Sequence, residues 1–371
     1  MHPLLSFSAA TPLHREDRLL TAKGEFQVNP GHPRDWAERW PEGHALLGDA
    51  AQVLPFDRAS WLALVADHIR KPDSLRLLVS GRGQAECVLP LAARGGSRDR
   101  GRFEAFACYY NFRFAPIYAP HVTAADKPML LEAAGRALAP HGWHLALAPL
   151  PVDEADAIAA GFARAGWQAV RTPEAGNHVL EVGGRDFAAY WASRPGALRS
   201  TWKRKAKAHP MEISIHRSFD AGAWADYVAI YSESWKEPEG SLAFLEAFAR
   251  GEAAAGRLRL GIARHEGRAV AAQLWTTERH KALIHKLAYR ESARALSAGT
   301  ILSHALFAEA IDRDRVERID YGMGEDAYKR DWTDTLRPRV RLDLVRPAHP
   351  LGTLWLLKQR LAALAVPESA R

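Results

Sequence analysis

The sequence predicts an α/β (α+β) chain made of two similar units, each a mixed, mostly antiparallel sheet flanked by helices. Three observations lead there. The length of 371 residues exceeds that of one ordinary domain. Apolar residues recur with period 2 in some stretches and with helical spacing in others. The same order of elements then occurs twice: helix, antiparallel hairpin, third strand, helix, strand, helix, strand. The repeat is architectural, with little residue identity between the copies.

Residues 1–50 are rich in Pro, Gly and His and read as an irregular lead-in. The first unit, 51–184, opens with a helix at 60–69 (SWLALVADHI). Strands at 75–80 and 86–93 follow, joined across a GRG turn. FEAFACYY and FRFAPIYA read as further strands. A helix at 126–139, a strand at 143–150, a helix at 153–165 and two short strands near 167–171 and 178–182 close the unit. Gly183, Gly184 and Pro195 then interrupt the pattern and mark the boundary. The second unit, 185–347, has helices at 220–234 and 241–254 and strands at 257–264, 269–277 and 281–290. A helix at 299–313, a strand at 316–322, a short helix near 325–331 and a strand at 339–345 complete it. Residues 348–371 form a C-terminal helix or tail.

Composition narrows the class. With 47% hydrophobic and 25% charged residues, the chain can bury two real cores. Its two cysteines, Cys87 and Cys108, lie in apolar runs, which points to buried thiols rather than a disulfide framework. No C-x-x-C or His/Cys cluster points to a metal. No basic segment followed by an apolar core opens the chain, and no apolar run approaches eighteen residues, so the expected setting is cytoplasmic. A net charge of +7 favours anionic partners.

Four stretches carry chemistry. The segment RPGALRSTWKRKAKAHP, 194–210, reads as a helix from Gly196, with Arg199, Lys203 and Lys207 stacked on one face. It is either a solvated basic helix or a lip for anions. The small residues Ser297, Ala298, Gly299 and Thr300 precede the helix at 299. Ser297 or Thr300 caps it, or its bare amides take a phosphate. In the strand KALIHKLAYR, strict alternation puts Leu283, His285, Leu287 and Tyr289 on one face and Ala282, Ile284, Lys286 and Ala288 on the other. A His and a Lys in mid-strand are costly to desolvate, less so beside a cleft. Gln273 on the neighbouring strand poses the same question. Finally, in DYGMGEDAYKRDWTD, 320–334, Asp320 ends a strand and Gly322 and Gly324 turn the chain. Glu325, Tyr328, Lys329 and Trp332 then share one face of a short helix. The carboxyl ends of strands are where α/β sheets present ligands.

No Walker A loop, G-x-G-x-x-G, H-E-x-x-H or G-x-S-x-G occurs, so kinase, nicotinamide, zincin and α/β-hydrolase readings lose support. The second unit resembles GNAT-like N-acyltransferases of the FemAB-like, BioF2-like and CelD (BcsL) group. The matching stretches are YWASRPGALRSTWKRKAK, IYSESWKEPEG, GRLRLGIARHEGRAVAAQLW, IHKLAYRESARALSAGTIL and IDYGMGEDAYKRDWT, in that order. Gly324, Tyr328 and Lys329 fit the group's Gly-x-x-x-Tyr-Lys block. The first unit fits a tandem arrangement without a comparable motif and is expected to be non-catalytic, forming one wall of the cleft.

The resemblance implies a sheet that splays near its middle to admit the pantetheine arm of acetyl-CoA or another acyl-CoA. The diphosphate would lie on Ser297, Gly299 and Thr300. Only Gly299 matches the group's glycine-richer loop. An amine acceptor, a small molecule or a glycan, would attack the thioester directly. His285 is the first candidate for general base and Asp326 the second, or a holder of the amine. Tyr328 would protonate the leaving thiolate, and Lys329 would bind an anionic part of either reactant. Trp235, Lys236, Gln273, Lys286 and Asp320 are the expected substrate contacts. Two other readings stand beside this one. The donor is an aminoacyl-tRNA, which the basic 194–207 segment favours. Alternatively, the fold serves as a non-catalytic binding or assembly subunit in cell-surface polysaccharide synthesis.

Overall fold

The computed structural model describes residues 25–28, 45–70, 74–82, 85–96 and 99–364. Among the described residues, thirteen strands form one continuous sheet. The upstream half contributes β1 (Glu25–Val28), β2 (Leu75–Arg82), β3 (Ala85–Ala93), β4 (Arg102–Ala105), β5 (Ile117–Tyr118), β6 (His144–Pro151) and β7 (Gln168–Glu181). Its helices are α1 (Ala59–His68), α2 (Lys127–Leu138) and α3 (Val152–Arg164). The downstream half contributes β8 (Glu212–His216), β9 (Leu258–His265), β10 (Arg268–Glu278), β11 (Lys281–Tyr289), β12 (Arg318–Met323) and β13 (Thr335–Val345). Its helices are α4 (Phe187–Ala192), α5 (Gly196–Ala208), α6 (Ala221–Ser232), α7 (Leu242–Ala254), α8 (Ala298–Ala308), α9 (Ala327–Trp332) and α10 (Pro350–Leu364).

Both halves follow one plan. Antiparallel strands lead to a single parallel pair, β4–β6 upstream and β11–β12 downstream, each bridged by a helix. The last strands are exchanged: β13 lies between β6 and β7, and β7 lies between β13 and β12. The β7–β13 ladder runs from Thr335 opposite Val179 to Val345 opposite Gln168. Pulling the halves apart would break this ladder, so they are mechanically one body.

Strand alternation sorts the cores. Leu75, Leu77 and Val79 of β2 and Leu258, Leu260 and Ile262 of β9 face one layer, where Trp61 of α1, Tyr227 of α6 and Phe244 and Phe248 of α7 pack across both halves. On the opposite face, α2 and α3 cover the upstream strands. There α8 covers the downstream strands through Leu302 and Leu306.

Several sequence expectations shift. The two short strands near 167–171 and 178–182 are one fourteen-residue strand, β7, because its exposed middle still pairs with β13. Most of FEAFACYY and FRFAPIYA lies outside strands; β4 ends at Ala105, and buried Phe106, Phe112 and Phe114 fill the space beyond it. Of the lead-in, Glu25–Val28 is a strand on β2, whereas residues 1–24 and 29–44 lie outside those described.

Candidate active site

The parallel pair β11–β12 is matched over only three positions, Lys281 with Arg318, Ala282 with Ile319 and Leu283 with Asp320. Beyond Leu283 the strands part. A cleft of about 460 Å³ lies there, lined by Ile284 to Leu287 on one side and Tyr321 to Met323 on the other. The corresponding upstream gap is closed by Phe114, whose amide bonds to the carbonyl of Pro149 at 2.6 Å.

A β-bulge shapes the cleft. Leu274 of β10 faces Lys286, and Trp275 faces Ile284, so His285 is the extra residue. The strict alternation read from the sequence therefore fails there. Leu287 and Tyr289 pack with Ala282 and Ile284 on the α8 side. His285 and Lys286, though consecutive, both point to the side of α6 and α7: His285 against Phe112 and Phe248, Lys286 toward Tyr110 and Tyr231.

Of the predicted site residues, the bend brings His285, Lys286, Lys236, Asp326, Tyr328 and Lys329 into the cleft wall. His285 shares a hydrogen bond of 2.8 Å with the Thr276 hydroxyl. Burial, aided by neighbouring Lys286, lowers its pKa to about 3. It is a neutral imidazole at physiological pH, and the expectation of a base tuned to neutrality does not fit this environment. Lys236 has no ion pair among the described residues, and its Nζ lies 5.6 Å from the centre of the Trp235 ring. Burial and then Lys286 lower it to about 8. Burial raises the Tyr328 hydroxyl, which stays protonated.

Lys329 is 5% exposed, but its ammonium is already engaged. It donates to the carbonyls of Met323 (2.6 Å) and Gly324 (3.3 Å) and pairs with Asp326 at 3.4 Å. It fixes the turn rather than standing free for an anion.

Two other expected contacts are interior. Gln273 is 1% exposed, donates to Ser303 at 2.8 Å and to the Gly299 carbonyl at 3.3 Å, and accepts from the Trp275 indole at 2.9 Å. With amide and carbonyl both used, it ties β10 to α8 and leaves nothing for a substrate. Asp320 accepts from Asn177 (3.0 Å) and from the Gly322 amide (2.8 Å), and so sets the bend at the end of β12. Trp235 is 47% exposed and stacks on Tyr289 with ring centres 4.3 Å apart.

Ser297, Gly299 and Thr300 lie outside the cleft lining, at the start of α8 on the opposite side of the sheet from Lys286. Ser297 adopts a left-handed conformation (φ 56°) and its side chain makes no capping bond. The first-turn amides have no intrahelical acceptors. A side chain at Gly299 would meet the Tyr289 ring at 3.2 Å. The Tyr289 ring thus packs closely over Gly299 at the helix start.

Sequence reasoning expected the upstream unit to wall the cleft but named none of its residues there. Tyr110 donates to Glu239 at 2.7 Å, Lys286 pairs with the same carboxylate at 2.9 Å, and Tyr109 contacts Tyr110 at 3.1 Å. This network clamps the 233–241 loop over the cleft. The only signal was the aromatic density of FACYYNF. Among the described residues, no group of His, Cys, Asp or Glu could hold a metal ion.

Residues 192–330 match the family model of the Acetyltransferase (GNAT) domain. This match spans most of the downstream half and of its bent, mostly antiparallel sheet. A structure described as FemX superposes with TM-score 0.58 at 11% identity, over 85% of this chain and 97% of that one. L-PGS from Bacillus licheniformis gives TM-score 0.53 at 13% identity, over 91% of this chain and 98% of that one. At such identities the likeness is one of fold. No curated protein matches the sequence.

Proposed function

We propose that this protein is an N-acyltransferase that moves an acyl group, acetyl in the simplest case, from acyl-CoA to an amine acceptor. The observation that carries the reading is the parting of β11 and β12 after Leu283, with a cleft bearing Lys236, Lys286 and Asp326 on one side and the uncapped start of α8 on the other. Unpaired amides and the helix dipole suit a diphosphate at Ser297, Gly299 and Thr300. The gap suits a narrow tail.

The acceptor amine must be neutral to attack, so a proton must leave it. Lys236 suits that role better than His285: it lines the cleft, has no ion-pair partner among the described residues, and is lowered into the range of a working base. Its neutral form takes one proton from the incoming ammonium, and the neutral amine then bonds to the thioester carbonyl. Collapse of the adduct breaks the carbon–sulfur bond, and the second proton shed by the nitrogen passes through the Tyr328 hydroxyl, which gives its own proton to the departing thiolate and is reprotonated by the nitrogen. His285 serves as a neutral hydrogen-bonding wall and Asp326 as a holder of the incoming ammonium. An amino sugar of a cell-surface polysaccharide fits the exposed rings of Tyr109 and Tyr328 at the cleft, since flat sugar faces stack on aromatic rings.

The test is thiol release from acetyl-CoA across a panel of amines. Amine-dependent release of CoA, lost in Lys236→Met and Tyr328→Phe, supports the reading. No release with any amine defeats it. Helix α5 keeps the aminoacyl-tRNA alternative in view: it has no buried residue and presents Arg199, Lys203 and Lys207 to solvent. That reading requires tRNA binding that weakens steeply with salt.

A further inference from the structure

Helix α10 docks on the body through Leu356 and Trp355, which pack with Trp143 and Val345. Its other side has no partner among the described residues. Leu351, Leu354, Leu357 and Leu361 are 47%, 63%, 52% and 58% exposed, against 7% for Leu356. At 100° per residue these four occupy one arc, away from Leu356. Lys358 falls within that arc, between Leu354 and Leu351, Arg360 lies outside its Leu357 edge, and residues 346–364 contain no Asp or Glu.

Exposed leucines are ordinary when scattered; a row on one helix is not. The cations in and beside it decide what covers it. A second copy would bring Lys358 and Arg360 against their own kind, with no carboxylate on either helix to offset the repulsion. It would also draw on a face far narrower than the roughly 800 Å² per partner of a stable interface. An anionic lipid surface has neither difficulty. Leucines enter the acyl boundary while the long cationic side chains reach the phosphates. The helix has fifteen residues, about 22 Å at 1.5 Å per residue, so it lies in the plane of the surface rather than crossing it. No helix among the described residues is long and apolar enough to cross a membrane.

We propose that the outer face of α10 seats this protein on an anionic lipid surface, with Leu351, Leu354, Leu357 and Leu361 inserted at the headgroup boundary. The proposal stands independently of the acyl-transfer reading. The full chain is floated with vesicles of phosphatidylcholine, with and without phosphatidylglycerol. Binding to the anionic vesicles is expected, weakening with salt. The triple change Leu354→Ser, Leu357→Ser and Leu361→Ser should weaken it by about tenfold or more, with the melting temperature unchanged because all three side chains point outward. Lys358→Gln with Arg360→Gln should reduce binding to anionic vesicles only. The proposal is overturned if neither vesicle binds the chain, if the serine variant binds as well as the parent, or if sedimentation shows a dimer that the serine changes dissolve.

Discussion

The ammonium of Lys329 donates to the backbone carbonyl of Met323 at 2.6 Å, tying helix α9 to the end of strand β12. The bond crosses the turn that opens the cleft. Replacing Lys329 with Met leaves the carbonyls of Met323 and Gly324 without their donor. An unsatisfied buried acceptor costs about 1–3 kcal/mol. Urea unfolding should show a loss of that size, and acyl transfer should fall with it. A variant as stable as the parent would mean that this bond does not hold the turn.

Lys286 and Glu239 form a second tie, between β11 and the loop over the cleft. Lys286→Met strands a carboxylate that is 4% exposed in its side chain. Breaking a buried pair on one side costs about 3–5 kcal/mol. The double variant Lys286→Met with Glu239→Gln should recover a large part of that loss. Equal destabilisation in single and double variants would argue against the pairing.

Gly322 joins the two halves by contact. Its φ is +70°, and a Cβ there would meet the Phe112 ring at 3.0 Å. Gly322→Ala should cost about 1–3 kcal/mol from backbone strain, with further loss from the clash. Adding Phe112→Leu should relieve only the clash. No rescue at all would place the whole penalty in the backbone.

The pH dependence of stability follows from His285. Burial lowers its pKa to about 3, against about 6.5 for an ordinary imidazole, so the unfolded chain binds the extra proton between those limits. Stability is full above pH 6.5 and falls on acidification, by up to about 1.4 kcal/mol per pH unit from this group. His285→Gln keeps a hydrogen-bonding group and should flatten the acid limb. Half-buried His304, lowered to about 4 by desolvation, gives a residual slope of the same sign in both proteins. Identical acid limbs in parent and variant would contradict the burial of His285.

Much of this architecture is legible in the sequence because local periodicity survives folding. Strands 75–82, 258–265 and 268–278 and helix 221–232 lie within a few residues of where alternation and helical spacing place them. What the sequence hides is non-local. The bulge at His285 depends on how β10 and β11 register, so alternation assigned Leu287 and Tyr289 to the wrong face. The exchange of β7 and β13 is set by pairing across the whole chain. At the site, residues 285, 286 and 328–329, singled out by residue type, line the cleft. It could not tell a lysine facing a substrate from Lys329, whose charge is absorbed by two carbonyls. Nor could it distinguish a free amide from Gln273, whose donors and acceptor are all used inside.

The central claim is that a thioester donor enters where β11 and β12 part and rests on the start of α8. Hydrogen–deuterium exchange with and without acetyl-CoA tests it most directly. The account predicts slowed exchange at residues 284–289 and in the first turn of α8, with little change in the upstream sheet. Unaltered exchange at both segments under saturating acetyl-CoA would contradict it.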